Sequence, residues 1–409
     1  LIYWNPLKIL GAIKKMKESL FNYRFEYENQ KYIFNTNNNG LIQINNDIFT
    51  EEEREYLRVN RFWVDDNEDE IALLEREINH NIQKRQKELE LTIALTNYCN
   101  FSCVYCYQNK NEKLMTTEVA NMIIEKIDRI LNDNIFEGIN IHYFGGEPLL
   151  NIPVLIYLDE NIKKITDKIG IVYKAFLTTN GSMLSKELLQ KVKFSSIQLT
   201  FDGLEKTHDR LRVSDHFHFK EEIELIENIM NFSQAKVLLR TNICKENKDE
   251  IIALHKYIFE KFGNERIEIN PNRTIKYHQD DSFEMLSVQE YAEVAYQIKL
   301  LWSEQKGKFE LPVPRSTPCK FPYGNAYAIS PEGYCTFCSG SMDQEKKYFF
   351  DVDIENKKMF SVRKECKKCN ILPLCLGGCI IQYNLRAGAC TYEKYELKNI
   401  LISYIKHIS

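Results

Sequence analysis

The placement of its cysteines constrains this chain more than any other feature: twelve residues fall into two groups and one single position. Cys99, Cys103 and Cys106 lie on the loop that follows a predicted strand at 91–95. Cys319, Cys335, Cys338, Cys366, Cys369, Cys375, Cys379 and Cys390 crowd the C-terminal part, and Cys244 stands apart. Disulfide scaffolds belong to small secreted domains, whereas 409 residues with 44% hydrophobic side chains can bury a core without staples. Thiols in such a chain point to metal or redox chemistry. Three thiolates can hold three irons of a cubic cluster and leave the fourth iron open. Structural zinc asks for four ligands, and His142 would be the candidate to complete such a set.

Lys and Arg number 54 against 58 acids, so no basic excess suits nucleic acid, and none is expected as a partner. No apolar run reaches the ~18 residues of a membrane span, so a cytoplasmic chain without a membrane partner is expected. The sequence starts on Leu1 without a methionine, which points to a trimmed or incomplete sequence. Ile9, Ile13, Met16 and Leu20 fall on one helical stripe and predict an N-terminal helix packed on its own protein.

Residues 1–89 read as a separate unit. Strands are expected at 23–27, 31–34 and 41–44, a helix at 50–58 opened by Thr50, and an acidic helix at about 68–87. Strands followed by helices resemble a winged helix-turn-helix, and the acidic excess argues against DNA, which leaves a protein- or peptide-docking wing or a structural cap. Residues 90–300 repeat strand, loop and helix. Strands at 91–95, 139–144, 171–178, 196–201, 236–243 and 266–270 alternate with helices such as 116–131, 154–167 and 220–231. That order predicts an α/β fold, a partial (β/α)6 TIM-like barrel with chemistry at the strand C-terminal ends. Period two puts Asn140, His142, Gln198, Thr200, Arg240, Asn242, Glu268 and Asn270 on one face, which predicts a polar interior for a sizeable polar substrate. Residues 301–409 form the cysteine-rich remainder.

Motifs end the successive strands. Cys99-x3-Cys103-x2-Cys106 follows the first, Gly145-Gly146-Glu147-Pro148 the second and Thr178-Thr179-Asn180-Gly181 the third. Asp202-Gly203, with His208, Asp209 and Arg212 beyond, follows the fourth, and Arg240-Thr241-Asn242 ends the fifth. In this order, over about 90–392, the chain resembles the radical S-adenosylmethionine (SAM) enzymes with a C-terminal SPASM domain, the maturases of peptides and proteins. The resemblance implies a [4Fe–4S] cluster on Cys99, Cys103 and Cys106 whose open iron chelates SAM. It also implies reductive cleavage to a 5′-deoxyadenosyl radical. It assigns cofactor contacts to Tyr105, Gly145, Gly146, Glu147, Thr178, Asn180, Asp202, Arg212 and Asn242, with Glu147 on the ammonium and Arg212 on the carboxylate.

By the same resemblance two auxiliary [4Fe–4S] clusters sit on the C-terminal cysteines. Cys319, Cys338 and Cys379 hold the nearer one, with Cys335 as its fourth ligand, and Cys366, Cys369, Cys375 and Cys390 the farther one. The alternative leaves the nearer cluster open to a substrate thiolate, with Cys335 a bystander. The implied activity is thioether or other cross-link formation in a ribosomally made precursor peptide with a leader, fed by a flavodoxin- or ferredoxin-type electron donor. Formylglycine formation by a sulfatase maturase is the alternative, weakened because Ser339, not an acid, follows Cys338. A zinc-stabilised interaction protein is the non-enzymatic one. No general base stands out.

Overall fold

The computed structural model describes residues 15–44, 49–85, 87–108, 110–133, 136–263, 265–277, 282–323, 325–336, 338–341, 347–352, 359–380, 382 and 390–408. The helix expected around Ile9 and Ile13 lies outside them. Its expected C-terminal end is instead a strand, β1 (Met16–Glu18), which pairs antiparallel with β5 (Trp63–Asp65). Partner strands, absent from any local pattern, decide that segment.

The N-terminal unit follows its turn chemistry. β2 (Asn22–Tyr27), β3 (Gln30–Asn35) and β4 (Gly40–Ile44) form an antiparallel meander. α1 (Glu51–Val59) opens with a capping box, in which the Thr50 side chain accepts from the Glu53 N–H and Glu53 accepts from the Thr50 N–H at 2.7 Å. α2 (Glu70–Arg85) turns Leu74, Ile78 and Ile82, one helical stripe, onto Phe360, Val362, Leu372 and Leu376 of the cysteine-rich region. Phe25 and Phe34 pack against Leu374, Leu397 and Leu401 in the same way. Each such side chain removed from water contributes about 1.5–3 kcal/mol, so the two terminal regions stabilise one another.

Six parallel strands frame the middle: β6 (Glu88–Ala94), β7 (Gly138–Phe144), β8 (Val172–Thr178), β9 (Phe194–Thr200), β10 (Lys236–Ile243) and β11 (Ile267–Arg273), adjacent in that order. The connections carry α3 (Thr117–Asp133), α4 (Ile152–Ile169), α5 (Lys186–Lys191), α6 (Glu205–Leu211), α7 (Phe219–Phe232) and α8 (Ile251–Phe262), and α9 (Val288–Lys306) follows β11. The outer face of the sheet is apolar: Ile139, Ile141, Tyr143, Ile197 and Leu199 are fully buried under the helices. The opposite face carries Asn140, His142, Gln198, Arg240, Asn242 and Asn270, all partly accessible, as period two requires. Glu268 departs from the interior role: it is exposed and pairs with Lys236.

Sequence reasoning did not foresee how the sheet ends. β12 (Ala326–Ile329) adds to β6 in parallel, and β13 (Tyr334–Thr336) and β14 (Lys347–Tyr348) continue it antiparallel, giving nine strands among the described residues. The C-terminal region is therefore joined to the barrel edge, and Lys320 reaches across to pair with Glu90. The final helix, Glu393–Ile408, lies along α9, where Lys299 pairs with the buried Glu396.

Candidate active site

Close backbone approach fixes the loop after β6. Gly146 N–H donates to the Thr96 carbonyl and Glu147 N–H to the Tyr98 carbonyl, each at 2.8 Å. A Cβ on Gly146 would lie 2.2 Å from the Tyr98 oxygen, and one on Gly145, whose φ is +139°, 2.4 Å from the Thr96 oxygen. The two glycines thus serve contact between the β7 turn and the cysteine loop.

The Glu147 side chain binds that turn to the next. It is fully buried; one carboxylate oxygen accepts from the Thr179 hydroxyl at 2.6 Å and the Leu149 N–H at 3.0 Å, the other from the Asn180 N–H at 2.6 Å. Burial pushes its pKa up, while these donors oppose the shift. Asn180 carries the brace onward, donating to Asn100 Oδ1 at 2.8 Å and towards the Cys99 sulfur at 3.8 Å. Thr178 faces the interior, 2.7 Å from His142 Nε2. Burial, followed by the Lys320 charge, holds His142 down at about 4, so it is neutral at physiological pH.

Across the barrel Asp202 is fully buried and accepts from the Tyr105 hydroxyl and, at 2.7 Å, from the Asn242 N–H. Arg240 Nε donates to Asn242 Oδ1 at 2.9 Å. Arg212 is 5% exposed and lies over the Phe101 ring at 5.3 Å. Its Nε and Nη2, the edge that grips a carboxylate in bidentate fashion, have no hydrogen-bond partner among the described residues. Burial opposes the Arg212 charge, and Glu222, Cys103, Tyr105 and Asp202 sustain it.

Cys99, Cys103 and Cys106 lie near enough for their charges to interact, although no three Cys, His, Asp or Glu side chains among the described residues converge at metal-binding distance. Burial pushes the Cys103 thiol up to about 11, with the Arg212 charge opposing. Three thiols on one loop and a buried guanidinium edge without a hydrogen-bond partner among the described residues fit an iron–sulfur cube with a carboxylate-bearing molecule beside it.

In the C-terminal region Cys338 senses Cys319 and Cys379, while Cys366 and Cys375 each sense Cys369. Cys390 is partly buried, with Thr391 and Tyr392 between it and the last helix. Cys335 is 3% exposed, stands opposite Ile329 on β13 and packs in the apolar core of the barrel. Alternation puts it there, because a side chain sharing the Ile329 face shares its core. Cys244 is fully buried beside Leu211 and Phe283, a small apolar residue.

Residues 93–258 match the Radical SAM superfamily. The chain carries a radical SAM domain. Its relatives include the radical SAM cyclopropyl synthase TigE of Paramaledivibacter caminithermalis, 24% identical, with 80% of this chain and 76% of that protein covered. An uncharacterised protein of Methanocaldococcus jannaschii is 34% identical over 28% of this chain, and the GTP 3′,8-cyclase of Helicobacter pylori 31% identical over 44%. The chain spans 39% and 53% of the lengths of those two relatives. Among solved structures, anSMEcpe with bound AdoMet superposes with TM-score 0.64 at 19% identity, covering 78% of this chain and 98% of that one. Streptococcus suis SuiB bound to precursor peptide SuiA gives 0.54 at 16%, covering 90% and 97%. At such identities the likeness is one of fold. The radical SAM family implies a [4Fe–4S] cluster and SAM; among the described residues no helix is long and apolar enough to cross a membrane.

Proposed function

We propose that this radical SAM enzyme is a maturase of a ribosomally made precursor peptide and forms a cross-link in it. Cys99, Cys103 and Cys106 would hold the cluster, and Arg212 the SAM carboxylate through its unpaired Nε and Nη2. Bound there, a cluster and SAM would together supply one-electron cleavage of the sulfonium and hydrogen-atom abstraction from the substrate. The residues of the chain hold and orient: Gly145 and Gly146 keep the cysteine loop against the β7 turn, Asn180 braces its Cys99 end and Arg212 orients the cofactor. Neutral His142 and the Gln198–Asn270 pair (3.2 Å) line the interior with hydrogen-bonding groups suited to peptide amides.

One observation carries the peptide reading. The N-terminal meander is packed onto the cysteine-rich region, and β4 pairs with β3 alone among the described residues. Its outer edge presents main-chain donors and acceptors to which an extended leader can add as a strand. TigE and the precursor-bound SuiB support the same reading, and the SuiB match covers the larger share of this chain. Cys319, Cys338 and Cys379 would hold a nearer auxiliary cluster open at one iron, with Cys335 packed in the core. Cys366, Cys369, Cys375 and Cys390 would hold a farther one. A flavodoxin- or ferredoxin-type protein in the cytoplasm would deliver the electron.

The test is anaerobic incubation of the reconstituted enzyme, SAM and reductant with each short peptide encoded beside its gene. A product lighter by two hydrogen atoms, dependent on the leader, is expected. SAM cleavage with no peptide altered and no leader bound would overturn the peptide reading.

A further inference from the structure

Asp202 is a fully buried acid that ties several segments of the site together. Its carboxylate takes the Tyr105 hydroxyl and the Asn242 N–H at 2.7 Å, its carbonyl takes Asn247 Nδ2 at 2.8 Å, and its own N–H points to His208 Nδ1 at 3.5 Å. No surface of it remains exposed. Four partners come from four segments: the cysteine loop, the end of β10, the turn beyond it and α6. Tyr105 lies between Cys103 and Cys106, so its hydroxyl is the tether by which the second half of the cysteine loop reaches this hub. The Cys99 end has its own brace in Asn180 and Glu147. Around the tether Val104, Leu211, Cys244 and Phe283 form a small apolar cluster that shields the bond from water, where a hydrogen bond to a carboxylate is strongest.

We propose that Tyr105 and Asp202 act as one positioning unit, which holds the Cys103–Cys106 segment against β10 and so presets the place where SAM is received. Asp202 then touches no cofactor. Tyr105 contributes through its hydroxyl, and its ring packs on Phe283. The proposal rests on the reading that SAM binds between the cysteine loop and Arg212.

A thermodynamic cycle tests it. Tyr105→Phe, Asp202→Asn and the double variant are reconstituted anaerobically. Iron and sulfide are counted, and SAM affinity is read from the change it produces in the electron paramagnetic resonance spectrum of the reduced cluster. Expected are wild-type iron in Tyr105→Phe, a loss of SAM affinity of about tenfold in each single variant, and no further loss in the double variant, because partners of one hydrogen bond are not additive. Losses that multiply, or a Tyr105→Phe variant that binds SAM as well as wild type, overturn the unit. If Asp202→Asn takes up no iron, Asp202→Glu replaces it: the unit predicts that Tyr105→Phe then removes little more affinity, and a full tenfold further loss overturns it. Arg212→Lys separates the two claims. If it leaves SAM affinity unchanged while the cycle shows coupling, the carboxylate site is wrong and the positioning unit stands.

Discussion

The two cysteine regions are built on opposite principles. In the barrel three thiols share one short loop, and hydrogen bonds from three neighbouring strand ends fix that loop before any metal arrives. In the C-terminal region the cysteines are spread from 319 to 390, Cys319 and Cys379 are exposed, and short helices and turns connect them. The first site is preorganised by the sheet. The second is held by the N-terminal unit packed on it, and the clusters proposed there would fix its geometry further, as metals do in small cysteine-rich modules. The difference separates what the barrel does alone from what the rest of the chain adds.

The largest effect should come from the loop itself. Cys103→Ala is expected to remove about four irons per chain and to abolish SAM cleavage, while the protein stays folded. Retained cleavage would place the chemistry elsewhere. Gly146→Ala comes next: its Cβ has no room beside the Tyr98 carbonyl, and a loss of about 3 kcal/mol is expected in denaturant unfolding of the apoprotein. Chelation should then divide the molecule. Hydrogen exchange is expected to quicken around 360–380 and in α2, packed on that segment, and to change little in β7–β10. Equal quickening in both regions would erase the distinction.

A smaller effect sharpens the same contrast through pH. Burial holds His255 down at about 4, where Nδ1 accepts from Trp302 Nε1 at 3.0 Å, whereas a free imidazole titrates near ~6.5. Between those values the unfolded chain binds the proton more readily. Stability is therefore full above about pH 6.5 and falls as pH drops towards 4, by at most about 3 kcal/mol. His255→Asn should flatten that slope in denaturant titrations at several pH values, with or without metal. The smallest effect belongs to Cys335→Ala, expected to keep the full iron and sulfide content and to lower stability by about 1 kcal/mol. Loss of a cluster would restore Cys335 as a ligand.

Much of this was legible in the residues. The Thr50 cap, the meander and all six barrel strands appear within a few residues of their expected places, because capping and period two are local signals. The motifs at the strand ends did converge on one rim. The sequence misled where long-range pairing decides: Met16–Glu18 became a strand through Trp63–Asp65, and Ala326–Ile329, an apolar run of four, joined β6. Glu147 and Asp202, expected as cofactor contacts, are both enclosed by the protein's own donors, partners that a motif leaves unstated. Cys335, the cysteine beyond the usual seven, pairs opposite Ile329 in the core. A period-two count from Ile329 across the turn is the signal that could have placed it there.

The central claim is that the barrel loop carries the radical chemistry and the C-terminal cysteines do not generate it. Anaerobic SAM cleavage with a chemical reductant tests this in three proteins. Wild type and a Cys366→Ala/Cys369→Ala variant should both release methionine and 5′-deoxyadenosine in equal amounts, and a Cys99→Ala/Cys103→Ala/Cys106→Ala variant should release neither. Cleavage surviving in the barrel variant, or absent from wild type carrying its full iron, would contradict the account.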